Sequence, residues 1–360
     1  LKQAKELSQF EKTLVHLLHV INTPESPFHS LFLKLLPKSF NTPMNWTKDQ
    51  KDLVKGTELE SSILNDATDE VFKSRVKPKL DEASQALGWK KDVDFELFQW
   101  AASVICTRGY HNGSNGPYLL PLIDQFNHSS TVNHTKLNVC NGVFFHIANI
   151  DIKKGEQIYT SYGDFSNSQL LHTYGFVEED NPLKYVSLQA HEIYKSVTKI
   201  LCASDDQIPE AEEDIKKRIQ MAVECKWISD TKRYVFSSKD LTVIPEELLL
   251  AISLCFIDDE SLEEFNKGEF THLRDILLAL AKDEFAEGIY TALIETIARK
   301  MKFYPSLPAK SGYIEGMISR VRQDEVEILK RLETHMMEKM RSILQKEMES
   351  TESIQASLAS

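Results

Sequence analysis

The chain has 360 residues, of which 42% are hydrophobic, so it is long enough for two domains and apolar enough to bury a core in each. Its formal net charge of −12 argues against general nucleic-acid binding, which depends on a basic face, and suits a basic protein partner. The sequence has neither an apolar run of roughly eighteen residues nor a charged segment followed by an apolar core at its amino end, which argues against a membrane span and a secretory signal.

The first third of the chain has the apolar spacing of helices. Apolar residues recur at this spacing between Leu7 and Ile21 and again over residues 57–87, where Pro78 predicts two helices or one kinked helix. A further helix is predicted over 95–108, with Asp94 as its amino-terminal cap.

Short strands are predicted after this helical region. Residues 113–117 combine Gly, Ser, Asn and Pro and are expected to form a flexible loop. Alternating apolar residues over 137–147 flank the pair Asn141-Gly142, which predicts a hairpin with a tight turn because Asn and Gly tolerate positive φ. Another short strand is predicted over 157–161.

A short helix follows these strands. Ser166 with Gln169 forms a capping-box pattern, and Gly175 is placed to end the helix. From about residue 205 the spacing is helical again and no strand-rich unit recurs, and a long amphipathic helix is predicted over 314–343. The residues after it are rich in Ser and Glu and predict a loose tail.

The one basic run and the cysteines do not indicate a specific function. The basic run Lys216-Lys217-Arg218 is embedded in an acidic helical pattern and is predicted to be a solvated face rather than a nuclear signal. The cysteines lie too far apart for a Cys-x-x-Cys zinc site, so we predict inert thiols, no metal, and a reduced intracellular compartment, cytoplasmic or nuclear. They are Cys106, Cys140, Cys202, Cys225 and Cys255.

Three motifs resemble a known enzyme family. They are Asp-Gln-Phe-Asn-His-Ser at 124–129, Gly-Glu-Gln-Ile-Tyr-Thr-Ser-Tyr-Gly at 155–163, and Leu-Leu-His-Thr-Tyr-Gly-Phe at 170–176. Together they resemble the SET-domain methyltransferases, in the branch of the Rubisco large-subunit and ribosomal-protein lysine methyltransferases. The resemblance implies an α+β fold, in which a SET fold of short β-strands with a helical insert is followed by an all-α substrate-binding domain.

The resemblance also implies a division of the chain. The expected parts are a helical insert at 1–95, a SET core with cofactor and catalytic motifs at 96–185, a helical substrate-binding domain at 186–350 and a loose tail at 351–360. The family opens with an amino-terminal portion that bears a glycine loop against the cofactor, and none is recognisable before Leu7. We therefore expect the cofactor site of the numbered chain to lack one wall, through trimming or truncation.

The implied chemistry is methyl transfer from S-adenosyl-L-methionine to a lysine of a protein. The lysine must lose its proton first, because an ammonium has no lone pair, and apolar walls with oxygen acceptors favour and orient the neutral amine. In the family's pattern Tyr162 is the catalytic residue, with a positioning role because a phenol is a weak base at neutral pH. Tyr174 would line the lysine channel, and Tyr159 is expected to point into the core.

The remaining motif residues are assigned to the cofactor by the same resemblance. Asn127 and His128 would hydrogen-bond it, Arg108 would lie near its methionyl carboxylate, and Phe176 would pack on its adenine. Asp124 begins the Asn-His loop and is either a cofactor residue or a structural one.

We therefore expect a protein-lysine N-methyltransferase whose substrate is a ribosomal or other intracellular protein. Two alternatives remain open, namely a catalytically silent SET-derived scaffold that binds a basic partner, and a protein-histidine methyltransferase. A relative in this branch methylates histidine in actin, whereas Tyr174 in the Tyr-Gly-Phe motif favours lysine.

Overall fold

The computed structural model describes residues 7–24, 26–63, 70, 72–241, 243–260, 262, 275, 277–279, 281, 284–306 and 312–358. The chain divides into two compact units, the first comprising Leu1–Leu183 with Pro305–Val321 and the second Lys184–Tyr304 with Arg322–Ser360. Within the described residues, every helix is too short or too polar to cross a lipid bilayer.

The first unit contains helices, two hairpin-forming strand pairs and short 3-10 or π turns. Its helices are α1 (Gln9–Asn22), α2 (Pro27–Leu35), α3 (Lys48–Asp52), α4 (Glu58–Ile63), α5 (Lys77–Leu87), α6 (Phe95–Arg108) and α7 (Asn167–Tyr174). Its strands are β1 (Gly109–Asn112), β2 (Asn115–Leu119), β3 (Asn127–His128), β4 (Thr135–Cys140), β5 (Val143–Ala148) and β6 (Tyr159–Thr160).

The predicted start of α6 is confirmed, because the capping signal lies within a few residues of the sequence. Asp94 caps α6 by accepting a hydrogen bond from the Leu97 backbone N–H. Part of the predicted helical stretch at 57–87, residues 64–69, lies outside the described residues. Pro78 falls in the first turn of α5, where a missing N–H is tolerated.

The predicted flexible loop at 113–117 is wrong, because residues 113–114 form the turn of a β-hairpin and residues 115–117 begin its second strand, β2. β1 and β2 pair antiparallel, and Asn112 lies opposite Asn115. A Cβ on Gly116 would lie 2.6 Å from the carbonyl oxygen of Tyr110. Gly116 therefore allows the two strands to approach closely, rather than making the segment flexible.

The remaining strands of the first unit form one sheet, in the order β3-β6-β4-β5. β3 and β4 both pair parallel to β6, and β4 pairs antiparallel to β5 through the predicted hairpin. Its turn has positive φ at Asn141 and Gly142, as the sequence predicts. The short strands β3 and β6 bring the segment at 124–129 beside the segment at 155–163.

Gly175 ends α7 in the left-handed conformation with φ of 79°, and Ser166 and Gln169 form the capping box at the other end. A Cβ at Gly175 would meet the backbone of Asn41 at 2.9 Å. Gly88 ends α5 with φ of 66°, but a Cβ there would meet open space.

This difference makes Gly88 a matched control. We expect Gly88→Ala to lower the free energy of unfolding by about 1 kcal/mol, because alanine is disfavoured in the left-handed conformation. Gly175→Ala should lower it by about 3 kcal/mol, because a steric clash is added to the same conformational penalty. Thermal unfolding of both variants measures the difference. Equal losses of unfolding free energy in the two variants would show that the backbone at Asn41 moves to accommodate the added methyl group.

The second unit is mainly helical, as expected, but it is not all helix. Its elements are β7 (Tyr185–Gln189), α8 (Ala190–Leu201), α9 (Ile208–Glu224), β8 (Arg233–Ser237), α10 (Glu246–Phe256) and α11 (Ala286–Phe303), and a last helix, α12 (Tyr313–Leu358), begins in the first unit and continues in the second. β7 and β8 form a two-stranded antiparallel sheet that corrects the all-α expectation. Val186 and Phe236 from this sheet are buried in the core of the unit with residues of α8, α10 and α11.

The predicted loose tail at 351–360 is wrong over 351–358, where the chain continues α12. No Gly or Pro follows Gly316, so nothing in the sequence stops the helix. Residues 359–360 lie outside the described residues.

The basic run on α9 also departs from its predicted exposure. Lys216 and Lys217 are exposed, but Arg218 is buried. Its guanidinium donates to the carbonyls of Leu254 and Ile257 at 3.1 and 2.6 Å. Arg218 therefore satisfies the carbonyl end of α10 rather than a solvated face.

Candidate functional site

A cavity of about 350 Å³ in the first unit is formed where α6, β1, β4 and β6 meet the loops around the three motifs. Four predicted site residues line it, namely Arg108, Asp124, Tyr162 and Tyr174. Asn127, His128 and Phe176 are not among its lining residues. The predicted site residues therefore fall into two groups, one on the cavity wall and one behind or beside it.

Arg108 and Asp124 form an ion pair on this wall. Arg108 is the last residue of α6, and its Nη1 donates to Asp124 Oδ2 at 2.8 Å and to the Asp124 carbonyl at 3.3 Å. The side chains are 20% and 5% exposed, so the pair is shielded from bulk water. Arg108 Nε has no hydrogen-bond partner within the described part of the chain. The guanidinium thus keeps donors for an anionic ligand.

Tyr162 is fixed at two points. Its hydroxyl donates to the Phe126 carbonyl at 2.6 Å, and its backbone N–H donates to His128 Nδ1 at 3.0 Å. Burial raises the pKa of Tyr162. The phenol is therefore neutral at pH 7, its proton is engaged, and only the oxygen lone pairs are left to accept.

Aromatic rings surround Tyr162. Its ring centroid lies 4.8 Å from that of Tyr174 and 6.4 Å from that of Phe176, the second pair in an edge-on arrangement. Tyr174 also contacts Phe165, at 6.0 Å between centroids. Burial raises the pKa of Tyr174 to about 12, so this wall is uncharged at neutral pH.

Sequence reasoning missed Tyr110 and Phe165, which also line the cavity. The Tyr110 hydroxyl donates to the Ile123 carbonyl at 2.9 Å, and burial raises the pKa of this phenol. Tyr110 lies on β1, whose hairpin was predicted as a loop in part, so no pattern pointed to it. Phe165 lies between two motifs and could have been found by its position.

His128 lies behind Tyr162 rather than in the cavity. Its side chain is fully buried, and burial lowers the pKa of its imidazole. Asn127 is exposed on the neighbouring position of β3. Phe176 packs on His128, at 6.1 Å between ring centroids.

Tyr159 differs from its predicted place in the core. It is half-buried, and its hydroxyl donates to Gln157 Oε1 at 2.8 Å on the exposed side. Tyr159 is not among the residues that line the cavity.

The described residues contain no group of three or more His, Cys, Asp or Glu side chains that could hold a metal ion. The cavity is lined by two cationic side chains, Arg108 and Lys136, by the carboxylate of Asp124, by the imidazole of His111 and by a set of phenols. Such a set suits a zwitterionic ligand with apolar parts.

Comparison with known proteins gives relatives of one chemical class. No protein-family model matches the chain. It is 22% identical over 274 residues to the N-lysine methyltransferase setd6 of Salmo salar, covering 71% of this chain and 59% of the relative. It is 24% identical to the ribosomal lysine N-methyltransferase 4 of Schizosaccharomyces pombe, covering 59% of this chain and 41% of the relative. It is 30% identical to the actin-histidine N-methyltransferase of Danio rerio, covering 46% of this chain and 29% of the relative.

The chain therefore spans less than two thirds of the length of these relatives. A solved structure, the SET domain of LSMT bound to lysine and AdoHcy, superposes with a TM-score of 0.65 at 17% identity, covering 95% of this chain and 77% of that one. The chain thus has the SET-domain fold with a helical carboxyl-terminal region, as the motifs predicted.

Proposed function

We propose that this protein is an S-adenosylmethionine-dependent protein-lysine N-methyltransferase. The observation that carries the proposal is Tyr162, whose hydroxyl proton is engaged by Phe126 while its oxygen remains an acceptor beside a tyrosine-lined cavity. The relatives named N-lysine methyltransferases support the same class of reaction.

The residues present fit the methyl donor. Arg108 has an unpartnered Nε–H for a carboxylate, and Asn127 has an exposed side chain with both a donor and an acceptor. Phe176 offers an aromatic face, and His128 lies beside it. When bound, S-adenosylmethionine supplies a methyl group activated by sulfonium. We assign Arg108, Asn127 and Phe176 to its binding, with Asp124 as the partner of Arg108, and His128 through its backbone groups alone, because its imidazole is buried against Tyr162.

The chain's own residues prepare the amine. Phenol walls from Tyr162 and Tyr174 disfavour an ammonium through desolvation, and they lower the pKa of a lysine that enters between them. The Tyr162 oxygen accepts an N–H from the neutral amine and thereby aims its lone pair. Tyr162 does not act as a general base, because its pKa is raised and its proton is held by a backbone carbonyl.

The assignment of Arg108 predicts a selective effect. We expect Arg108→Met to raise the KM for S-adenosylmethionine by about tenfold to 100-fold, because the variant loses one hydrogen bond to a charged group. The KM for the peptide should change less. Steady-state kinetics with each substrate varied measures both.

Arg108→Lys is the control for that experiment, since it keeps the charge beside Asp124 and should lose less cofactor affinity. A rise confined to the peptide KM would contradict the assignment. It would place the Arg108–Asp124 pair in the wall of the lysine channel.

Histidine is the second candidate target, because the actin-histidine N-methyltransferase has higher percentage identity over its matched part than the lysine enzymes do. Tyr174, which lines the cavity, favours lysine through the resemblance of its Tyr-Gly-Phe motif to the lysine enzymes. Acid hydrolysis of labelled product distinguishes methyl-lysine from methyl-histidine.

The protein substrate is proposed to be basic, given the net charge of −12, and a ribosomal protein is one candidate of that kind. We propose a cytoplasmic or nuclear place of action, with no nucleic-acid or membrane partner.

Incubation of the purified full-length protein with labelled S-adenosylmethionine and a fractionated cell extract tests the proposed methyltransferase activity. Methylated lysine in one or a few proteins is the expected result. Binding of a basic protein without any transfer would instead favour a catalytically silent scaffold.

A further inference from the structure

His128 connects Tyr162 to a carboxylate that lies outside the cavity. His128 Nδ1 accepts the Tyr162 backbone N–H at 3.0 Å, and His128 Nε2 lies 3.6 Å from Glu178 Oε2. The two hydrogen-bonded residues are 34 positions apart in sequence. Glu178 follows the Tyr-Gly-Phe motif and was not singled out in the sequence.

The hydrogen bond to Nδ1 determines where the imidazole carries its proton. An acceptor nitrogen has no proton, so the neutral ring must be protonated on Nε2. Within the described residues, neither His128 Nε2 nor Glu178 Oε2 has a hydrogen-bond partner, and their separation of 3.6 Å is an electrostatic contact rather than a hydrogen bond. The Thr160 backbone also interacts with the His128 imidazole. A buried N–H without an acceptor is unfavourable, so the negative charge of the facing carboxylate oxygen stabilises this tautomer.

Glu178 is held in place for this role. Its Oε1 accepts the Ser130 backbone N–H at 3.0 Å. Buried Asn167 bonds both the backbone N–H and the carbonyl of Glu178, each at 2.8 Å. The carboxylate is therefore fixed against the imidazole rather than free to turn into solvent.

We propose that Glu178 is a positioning residue for Tyr162, acting through His128. By holding the imidazole in the Nε2–H tautomer, Glu178 keeps Nδ1 as the acceptor for the Tyr162 N–H. The opposite tautomer would place two N–H groups against each other and displace the segment that carries the phenol. The consequence for catalysis rests on the proposed function, whereas the consequence for the tautomer does not.

The chain contains a control pair with a similar arrangement. His134 Nδ1 accepts the Tyr159 backbone N–H at 3.1 Å, and His134 Nε2 lies 3.3 Å from Glu156 Oε1. This second pair differs in three respects, because its His–Glu contact is within hydrogen-bond distance, Glu156 is 42% exposed and Tyr159 does not line the cavity. Removing Glu156 should leave the reaction unchanged.

The experiment compares Glu178→Ala, Glu178→Gln and Glu156→Ala by ¹⁵N NMR of the histidine side chains and by steady-state kinetics. In the native protein the His128 Nε2 resonance should be that of a protonated nitrogen. We expect Glu178→Ala to shift it toward the Nδ1–H tautomer and to lower kcat by about tenfold to 100-fold, with the KM for S-adenosylmethionine unchanged. Glu156→Ala should change neither kcat nor the His128 resonances.

Glu178→Gln keeps one carbonyl acceptor and should lose about three- to tenfold in kcat, a smaller effect. If Glu178→Ala does not fold, Glu178→Gln provides the test of the proposed role. An unchanged kcat together with an unchanged His128 tautomer in the folded variants would overturn the proposal. If the native protein transfers no methyl group, the NMR comparison still tests the Glu178–His128 coupling, so failure of the proposed function is distinguishable.

Discussion

Tyr162→Phe should lower kcat by about 100-fold or more, while the binding of S-adenosylmethionine and of the peptide is retained. The change removes only the phenol oxygen, which accepts from the amine, and leaves the ring contacts with Tyr174 and Phe176. It also leaves the His128 bond intact, because that bond is made by the backbone N–H. Fixed-time methylation assays measure kcat, and calorimetric titration of each ligand measures binding.

Tyr159→Phe is the control for this experiment. It removes a hydroxyl group from the same segment, and that hydroxyl donates to the exposed Gln157 side chain. We expect kcat to stay within about twofold of the native value. Full activity of Tyr162→Phe would exclude the proposed role of Tyr162. Loss of ligand binding in that variant would show that the hydroxyl supports the site rather than the reaction.

Arg218→Met should destabilise the second unit by about 3 kcal/mol, because it leaves two buried carbonyls at the end of α10 without donors. Arg218 also pairs with Asp214 and Asp259, but these side chains are 49% and 81% exposed, so their carboxylates can return to water. Thermal or urea unfolding, followed by a probe in the second unit, measures the loss.

Lys217→Met is the matched control, since Lys217 is the preceding residue and is exposed on the same helix. We expect it to change the free energy of unfolding by no more than about 0.5 kcal/mol. Equal, small effects of the two variants would mean that the carbonyls of Leu254 and Ile257 find other donors.

The motifs allowed the fold class to be predicted, together with the four residues that meet at the cavity, Arg108, Asp124, Tyr162 and Tyr174. Their individual roles stay predictions, which the variants above test. Glu178 could not be predicted, because an acidic residue after Gly175 and Phe176 resembles any solvated turn. Only the fold brings its carboxylate to His128.

Local structure follows from the residue types alone. Caps such as Asp94 and the Ser166–Gln169 box, and the turn at Asn141-Gly142, depend on hydrogen bonds and φ values within a few residues, so the residue types are sufficient. The tertiary structure decided the pairing of β7 with β8, the burial of Arg218 and the Glu178–His128–Tyr162 series. In each of these the partner is distant in sequence, and the free energy comes from contacts that exist only once the chain has folded.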